Sequence, residues 1–441
     1  MAMEQKTQQG HGELAKEQII ENNNTQLVSN HVEPSRQKAA IKKKNKRIEK
    51  NMKRYQMVKK SGESSVLPMP LIYDDILIRI PPEALLQNFR YVCHEWLYKI
   101  STQDFAQRNL PYSRPKFILL TTRYHFFGSK ESKFEIFDMK EDKLIRDCSM
   151  GRWKGQARNS CRGLILVADE NKKLNRFHVF NPLTMKLTIS LPQCPSTCPH
   201  EDCTAWLAFD SSNNVFKVVH MYADQFGYEI WSLGIDTKWR VVPGPFEDIY
   251  DRPFNPGDFA WGDPIAVNDK VLHWNVNQAR RYIISMDVTD ELARKTSIPD
   301  YDERKPYELI EMGGNLGIMF IVSDSQKDIW ILKDFQSEKW VKIHSIVSSS
   351  IQSSIRLRPR PQLHNLIPVL SLGNGEVILF KSSKKEVLYA YELKSSTLKM
   401  LNINFTDDQK LIVHVNSLIS CDESQDSYPD SSNLARFNEA D

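Results

Sequence analysis

The chain has 441 residues, 41% hydrophobic and 26% charged, with a formal net charge of +4. This is ordinary soluble composition and enough length for two or three folding units. No run of about 18 apolar residues occurs and the N-terminus lacks the apolar core of a secretory signal, so neither a membrane span nor export is expected. Seven scattered cysteines do not suggest a disulfide framework, so the expected setting is reducing and intracellular, nucleus and/or cytoplasm.

Residues 1 to about 35 are rich in Gln, Asn and Glu and hold few large apolar groups, so they are expected to be disordered. Arg36 to Lys60 then carries twelve Lys or Arg against one acid, Glu49. That stretch contributes +11, which leaves −7 on the rest of the chain. Ile41, Ile48, Met52 and Tyr55 fall on a helical stripe within it. Three readings stay open. The arm is a solvated charged segment, a nuclear import signal built on Lys42-Lys43-Lys44 and Lys46-Arg47, or a contact for nucleic acid or an acidic membrane. Tyr55 alone offers a stacking ring, which weakens a single-strand binding role, and nucleic acid is not the expected partner. Ser61 to Ser65 reads as a linker, so residues 1–65 form one flexible arm.

Leu67 to Trp96 is dense in large apolar residues. Ile72, Ile76 and Ile80 recur at helical spacing, with Leu77 beside them. Pro81-Pro82 stops that helix, since proline loses a hydrogen bond and clashes inside one. Glu83 suits the first turn of a second helix carrying Leu85, Leu86 and Phe89. Val92, Trp96 and Ile100 mark a third, with Cys93 and Leu97 alongside. Three short helices cannot enclose a sufficient core alone. Periodicity leaves two readings, a cap on the neighbouring domain or a docking module completed by a partner.

The same residues resemble an F-box: Leu67-Pro68, Ile76-Leu77, Arg79-Ile80-Pro81, Leu85-Leu86, Phe89-Arg90, Val92-Cys93 and Trp96 keep the family's order and approximate spacing. An extra residue before Ile76, the inserted Asn88, and His94 in place of the usual lysine depart from the pattern. The resemblance implies docking on a Skp-type adaptor and, through it, on a cullin. It assigns the contact to Leu67, Pro68, Ile72, Ile76, Leu77, Ile80, Pro81, Leu85, Leu86, Val92 and Trp96.

From Pro111 onward helical spacing gives way to alternation and turn residues. One unit of strand, polar turn and strand recurs six times, beginning at Phe134, Phe177, Glu229, Ile283, Ile329 and Leu388. The starts are 43, 52, 54, 46 and 59 residues apart. Further apolar strands lie between these hairpins, at 116–122, 163–169, 216–222, 264–274, 315–322 and 376–380. About six units of three or four antiparallel strands predict a mainly β chain built as a kelch-like β-propeller. A large β-sandwich is the alternative. Asp210 to Asn214, Gly373-Asn374-Gly375 and Asn181-Pro182 supply turn chemistry.

This region also resembles the F-box-associated interaction domain of plant F-box proteins, which is kelch-related. The motifs are Ser160-Cys161-Arg162-Gly163-Leu164-Ile165, Asn181-Pro182-Leu183-Thr184, Phe209-Asp210, Phe216-Lys217-Val218-Val219, Ser232-Leu233-Gly234 with Trp239-Arg240, Leu272-His273-Trp274 and Ile329-Trp330-Ile331-Leu332. Arg162 stands where the family usually has asparagine.

Chemistry-bearing patterns are few. Cys194, Cys198, His200 and Cys203 have the ligand types for zinc, but their spacing matches no common module and Pro195 and Pro199 stiffen the loop. They are therefore read first as a loop between strands, with no metal or other cofactor assigned. The sequence holds no phosphate-cradling glycine loop, G-x-S-x-G elbow or H-E-x-x-H helix. His273 reads as a packed strand residue, and Trp231, Trp239, Trp330 and Trp340 as core. Arg152, Trp153, Arg280 and Arg281 are candidates for contact with a target, because propeller loops gather on one face.

The organisation expected is a flexible arm at 1–65, a helical F-box at 66–110, a β-domain at 112–415 and a flexible tail at 416–441. The resemblance implies a non-catalytic receptor that holds an unidentified target protein for a Skp–cullin–F-box ubiquitin ligase. A binding protein that works without a ligase, through its basic arm, is the competing class.

Overall fold

A computed structural model describes residues 67–124, 130–140, 143–168, 176–184, 186–195, 204–222, 227–246, 263–276, 282–300, 305–353, 362–406 and 409–420. The expectations for the arm at 1–65 and for most of the tail lie outside the described residues. Among the described residues no helix is long and apolar enough to cross a membrane. The described residues fall into two compact units, one taking in Met69 and Gln87–Leu97, the other Pro70–Leu86 and the described residues from Tyr98 onward.

The larger unit contains a six-bladed β-propeller. The first blade contains β1 (Pro115–Tyr124), β2 (Lys130–Lys140) and β3 (Lys143–Lys154). The second is β4 (Gln156–Cys161), β5 (Leu164–Ala168), β6 (Phe177–Asn181) and β7 (Lys186–Ser190). The third is β8 (Thr204–Asp210), β9 (Val215–Tyr222), β10 (Gly227–Ser232) and β11 (Arg240–Val242). The fourth is β12 (Ile265–Val267), β13 (Val271–Trp274), β14 (Tyr282–Asp287) and β15 (Leu292–Ser297). The fifth is β16 (Tyr307–Glu311), β17 (Leu316–Ser323), β18 (Gln326–Asp334) and β19 (Lys339–Val347).

The sixth blade runs β21 (Leu366–Leu372), β22 (Val377–Ser382), β23 (Val387–Glu392) and β24 (Thr397–Asn404), with β20 (Gln352–Ser353) added in parallel at its outer edge. The chain then returns to the first blade. β25 (Gln409–Val415) pairs antiparallel with β1, setting Pro115 opposite Val415 and Thr121 opposite Gln409. That pairing closes the ring. The leading strands lie side by side in succession, β25 against β4, β4 against β8, β12 against β16 and β16 against β21.

The six recurring hairpins are the third and fourth strands of the six blades, and the apolar segments between them are the inner strands. Six separate sheets rule out the sandwich alternative.

Each core lies between two blades, so a strand is apolar on both faces. In β5, Leu164, Leu166 and Ala168 enter the core shared with the third blade, while Ile165 and Val167 enter the core shared with the first. In β10, Tyr228 and Ile230 face the fourth blade and Trp231 the second. Alternation here sorts residues between two cores, not between core and water. Trp231 and Trp239 are buried as expected, but Trp330 and Trp340 are only partly buried. His273 is a core residue: its Nδ1 lies 2.7 Å from Ser285 Oγ, and burial pushes it down to about 3, so it stays neutral.

Candidate partner-binding surfaces

The helical region begins with α1 (Met69–Leu71), which continues through a π turn at Ile72–Ile76 and a 3-10 turn at Leu77–Arg79. The π turn adds a residue to the helical repeat. It breaks the single face formed by Ile72, Ile76 and Ile80. Tyr73, Leu77 and Ile78 are buried instead, while Leu71 and Ile76 are exposed.

Next come α2 (Pro82–Gln87), α3 (His94–Ile100) and α4 (Gln103–Asn109). Pro82 begins α2, where a missing N–H costs nothing, and Glu83 sits in its first turn. The fourth helix was not expected. Its signals are Thr102, whose Oγ1 accepts from the Phe105 amide at 3.3 Å, and the first-turn Asp104.

That helix repairs the break made by the two prolines. The carbonyl of Ile78 would normally accept from residue 82, which is proline and has no N–H. Asn109 Nδ2 donates instead to Ile78 O at 2.7 Å and to Ile80 O at 2.9 Å. Arg108 adds an ion pair to Asp74 at 2.7 Å. Ala106 joins the apolar core between the second and third blades, so α4 is packed on the propeller itself.

The residues proposed from sequence for adaptor contact divide sharply. Leu77 and Leu85 are 0% exposed and belong to the core of their own chain. Leu67, Pro68, Ile76, Pro81 and Val92 are exposed; Ile72, Ile80, Leu86 and Trp96 are half-buried. In the smaller unit Trp96 stacks on Phe89, with ring centroids 6.1 Å apart. Leu71, which the motif did not single out, is exposed as well.

A polar relay ties α2 to the strand pair that closes the ring. Glu83 pairs with Lys116 of β1 at 2.9 Å and accepts from Asn416 Nδ2, which lies just beyond β25. Asn416 Oδ1 lies 3.1 Å from His414 Nε2, and His414 Nδ1 lies 2.8 Å from Ser160 Oγ. Burial would raise the Glu83 carboxyl, but the hydrogen bonds from Lys116 and Asn416 outweigh it and hold Glu83 below its usual range. Burial pushes His414 down to about 4, so it enters the relay as a neutral ring.

The turns that follow the leading strands meet at this same end. Arg162 has φ +48 and lays its guanidinium 3.7 Å from the centroid of the Phe209 ring, with Nε 3.6 Å from Asp269. Its carbonyl accepts from Ser417 Oγ at 2.8 Å. Gly163 is required beside it: φ is +88, and a Cβ would stand 2.1 Å from Ser417 Oγ. Further round, Asn268 Nδ2 donates to Gly314 O at 3.2 Å. Between the third and fourth blades, buried Lys217 meets Asp210 at 3.1 Å and Glu291 at 2.8 Å, and Arg240 pairs with the same Glu291.

Of the target-contact candidates, Arg152 and Trp153 fall in β3, opposite Lys133 and Ser132 of β2. They are strand residues, not loop residues. Arg280 and Arg281 lie outside the described residues, as do Cys198, His200 and Cys203. Cys194 is described and buried, and its neighbours are two residues that the linear motif did not contain, His220 and Glu229.

Comparison with known proteins agrees with this architecture. The family described as "F-box associated beta propeller domain" matches residues 117–425. Among curated proteins of Arabidopsis thaliana, F-box protein At2g21930 is 25% identical over 375 residues, 80% of this chain and 89% of that protein. F-box protein At5g49610 is 25% identical over 74% of this chain and 88% of its own length. F-box/kelch-repeat protein At3g04660 is 21% identical over 65% of this chain and 75% of its own.

Proposed function

The chain belongs to the family of F-box-associated β-propeller domains, and on that premise we propose that it is the substrate-recognition subunit of a Skp–cullin–F-box ubiquitin ligase. The helical region docks on the Skp-type adaptor, and the propeller holds the protein to be ubiquitinated. The receptor forms no bond itself. It raises the local concentration of the target beside a ubiquitin-loaded partner and so turns an encounter into a tethered reaction.

The observation that carries the reading is the helical region ahead of the propeller. It keeps the F-box residue order, and it leaves large apolar side chains in water, Leu71 and Ile76 in one unit and Leu67 and Val92 in the other. Burying one such side chain against a partner contributes about 1.5–3 kcal/mol.

The test is co-purification of the full chain with a Skp-type adaptor, beside Ile76→Asp and Val92→Asp variants. A stable complex that either variant weakens by roughly tenfold or more supports the assignment. Folded protein that binds no adaptor would overturn it and give the lead to a ligase-independent binding protein. Leu85 is unsuited to this test, because its substitution opens a cavity in the receptor.

A further inference from the structure

We propose that Cys194, His220 and Glu229 form a buried zinc-binding site inside the propeller. The three come from separate segments. Cys194 follows β7, His220 is in β9, and Glu229 stands directly opposite His220 in β10. Their thiol, imidazole and carboxylate ligand atoms lie within 4.8 Å of one another, and all three residues are buried. His220 Nδ1 is 3.0 Å from Glu229 Oε2.

The chemistry of the set favours a zinc-type ion over hard cations. Thiolate and imidazole are ligands for zinc, with sulfur and nitrogen at about 2.3 and 2.0–2.1 Å from the metal. Calcium and magnesium prefer oxygen and are disfavoured by a sulfur ligand. One thiolate, one carboxylate and one neutral imidazole around a divalent cation sum to zero charge. A neutral cluster avoids the large cost of isolated charge in an apolar interior. Three protein ligands leave one tetrahedral position for a water.

The surroundings hold the ligands in place. The Leu191 amide donates to Phe177 O at 2.8 Å, and Trp239 Nε1 donates to Pro192 O at 3.0 Å, so the segment leading to Cys194 is fixed to both neighbouring blades. The rings of Phe177 and Trp239 stand 5.6 and 6.5 Å from that of His220. Cys198, His200 and Cys203 take no part in the proposal.

The full chain, purified after growth with zinc and dialysed against buffer, is assayed for metal by mass spectrometry and then reloaded with Co²⁺. About one zinc per chain is expected, with a thiolate-to-cobalt charge-transfer band on reloading. Cys194→Ser and His220→Gln each reduce bound metal by at least about tenfold. A Cys198→Ser/Cys203→Ser double variant retains it. Circular dichroism verifies that each variant is folded. Wild-type protein that holds no zinc and gives no cobalt–thiolate band overturns the proposal whatever the variants do. So does metal that survives His220→Gln but is lost from the double variant, which would assign the ion to the linear cysteine motif.

Discussion

Glu83 of α2 and Lys116 of β1 form an ion pair 2.9 Å long, and Asn416 donates to the same carboxylate from the far end of the chain. The helix that follows the double proline is thereby joined to both strands that close the propeller. Glu83→Gln keeps the shape and removes the charge. A charge-assisted hydrogen bond of this kind contributes about 1.5–3 kcal/mol. Because the folded protein lowers the Glu83 pKa, that contribution is complete above the ordinary glutamate range and disappears as the pH falls through the lowered value. Urea midpoints of wild type and Glu83→Gln should differ at pH 7 and converge in acid. A difference that is constant with pH would contradict the ion pair.

His414 adds a second pH signature. Unfolded histidine takes a proton near pH 6.5, whereas His414 resists it down to about 4. Its folded pKa is depressed, so stability is held above about pH 6.5 and is lost between there and about 4, at roughly 1.4 kcal/mol per pH unit. Replacing it with glutamine should flatten the stability profile in that window, as read by urea unfolding at half-unit steps.

Asn109 supplies the donor that Pro82 cannot and also serves the carbonyl of Ile80. Asn109→Leu leaves the buried carbonyl of Ile78 and the partly buried carbonyl of Ile80 without this donor, at a cost of about 1–3 kcal/mol. Hydrogen exchange should rise in Met69–Arg79 more than in the propeller strands. Uniform change across the chain would show that Asn109 acts elsewhere.

Arg162 occupies a backbone conformation that suits asparagine or glycine, and it compensates by covering Phe209. A double-mutant cycle of Arg162→Asn and Phe209→Leu should give a coupling energy of about 0.5–2 kcal/mol. Additive losses would mean that the stacked geometry contributes nothing.

Leu85 and Ile76 should separate stability from docking. Leu85→Ala removes a fully buried side chain and should destabilise the protein by about 2–5 kcal/mol. Ile76→Asp alters a side chain that is 43% exposed and should leave the melting temperature within about 2 °C of wild type. Differential scanning calorimetry distinguishes them, and a large loss for Ile76→Asp would place it in the core.

The six outer hairpins were legible in the sequence because each is local. A strand of alternating large residues, a polar turn and a second strand lie within about 15 residues and need no other part of the chain to be recognised. The double proline and Glu83 announced α2 for the same reason. The F-box motif likewise identified the helical region, yet it did not separate Leu85 from Leu67. Leu85 faces the interior and Leu67 faces water; nor did the motif announce the π turn that buries Leu77 beside exposed Ile76, or the asparagine 31 residues from the carbonyl it serves. The pairing of β25 with β1 joins residues almost 300 positions apart, and no local pattern encodes such a contact. The meeting of Cys194, His220 and Glu229 is of the same kind. Sequence fixes which residues repeat along a strand, because pleating is a local property. Only the closed ring decides which blades become neighbours and which side chains therefore share a core.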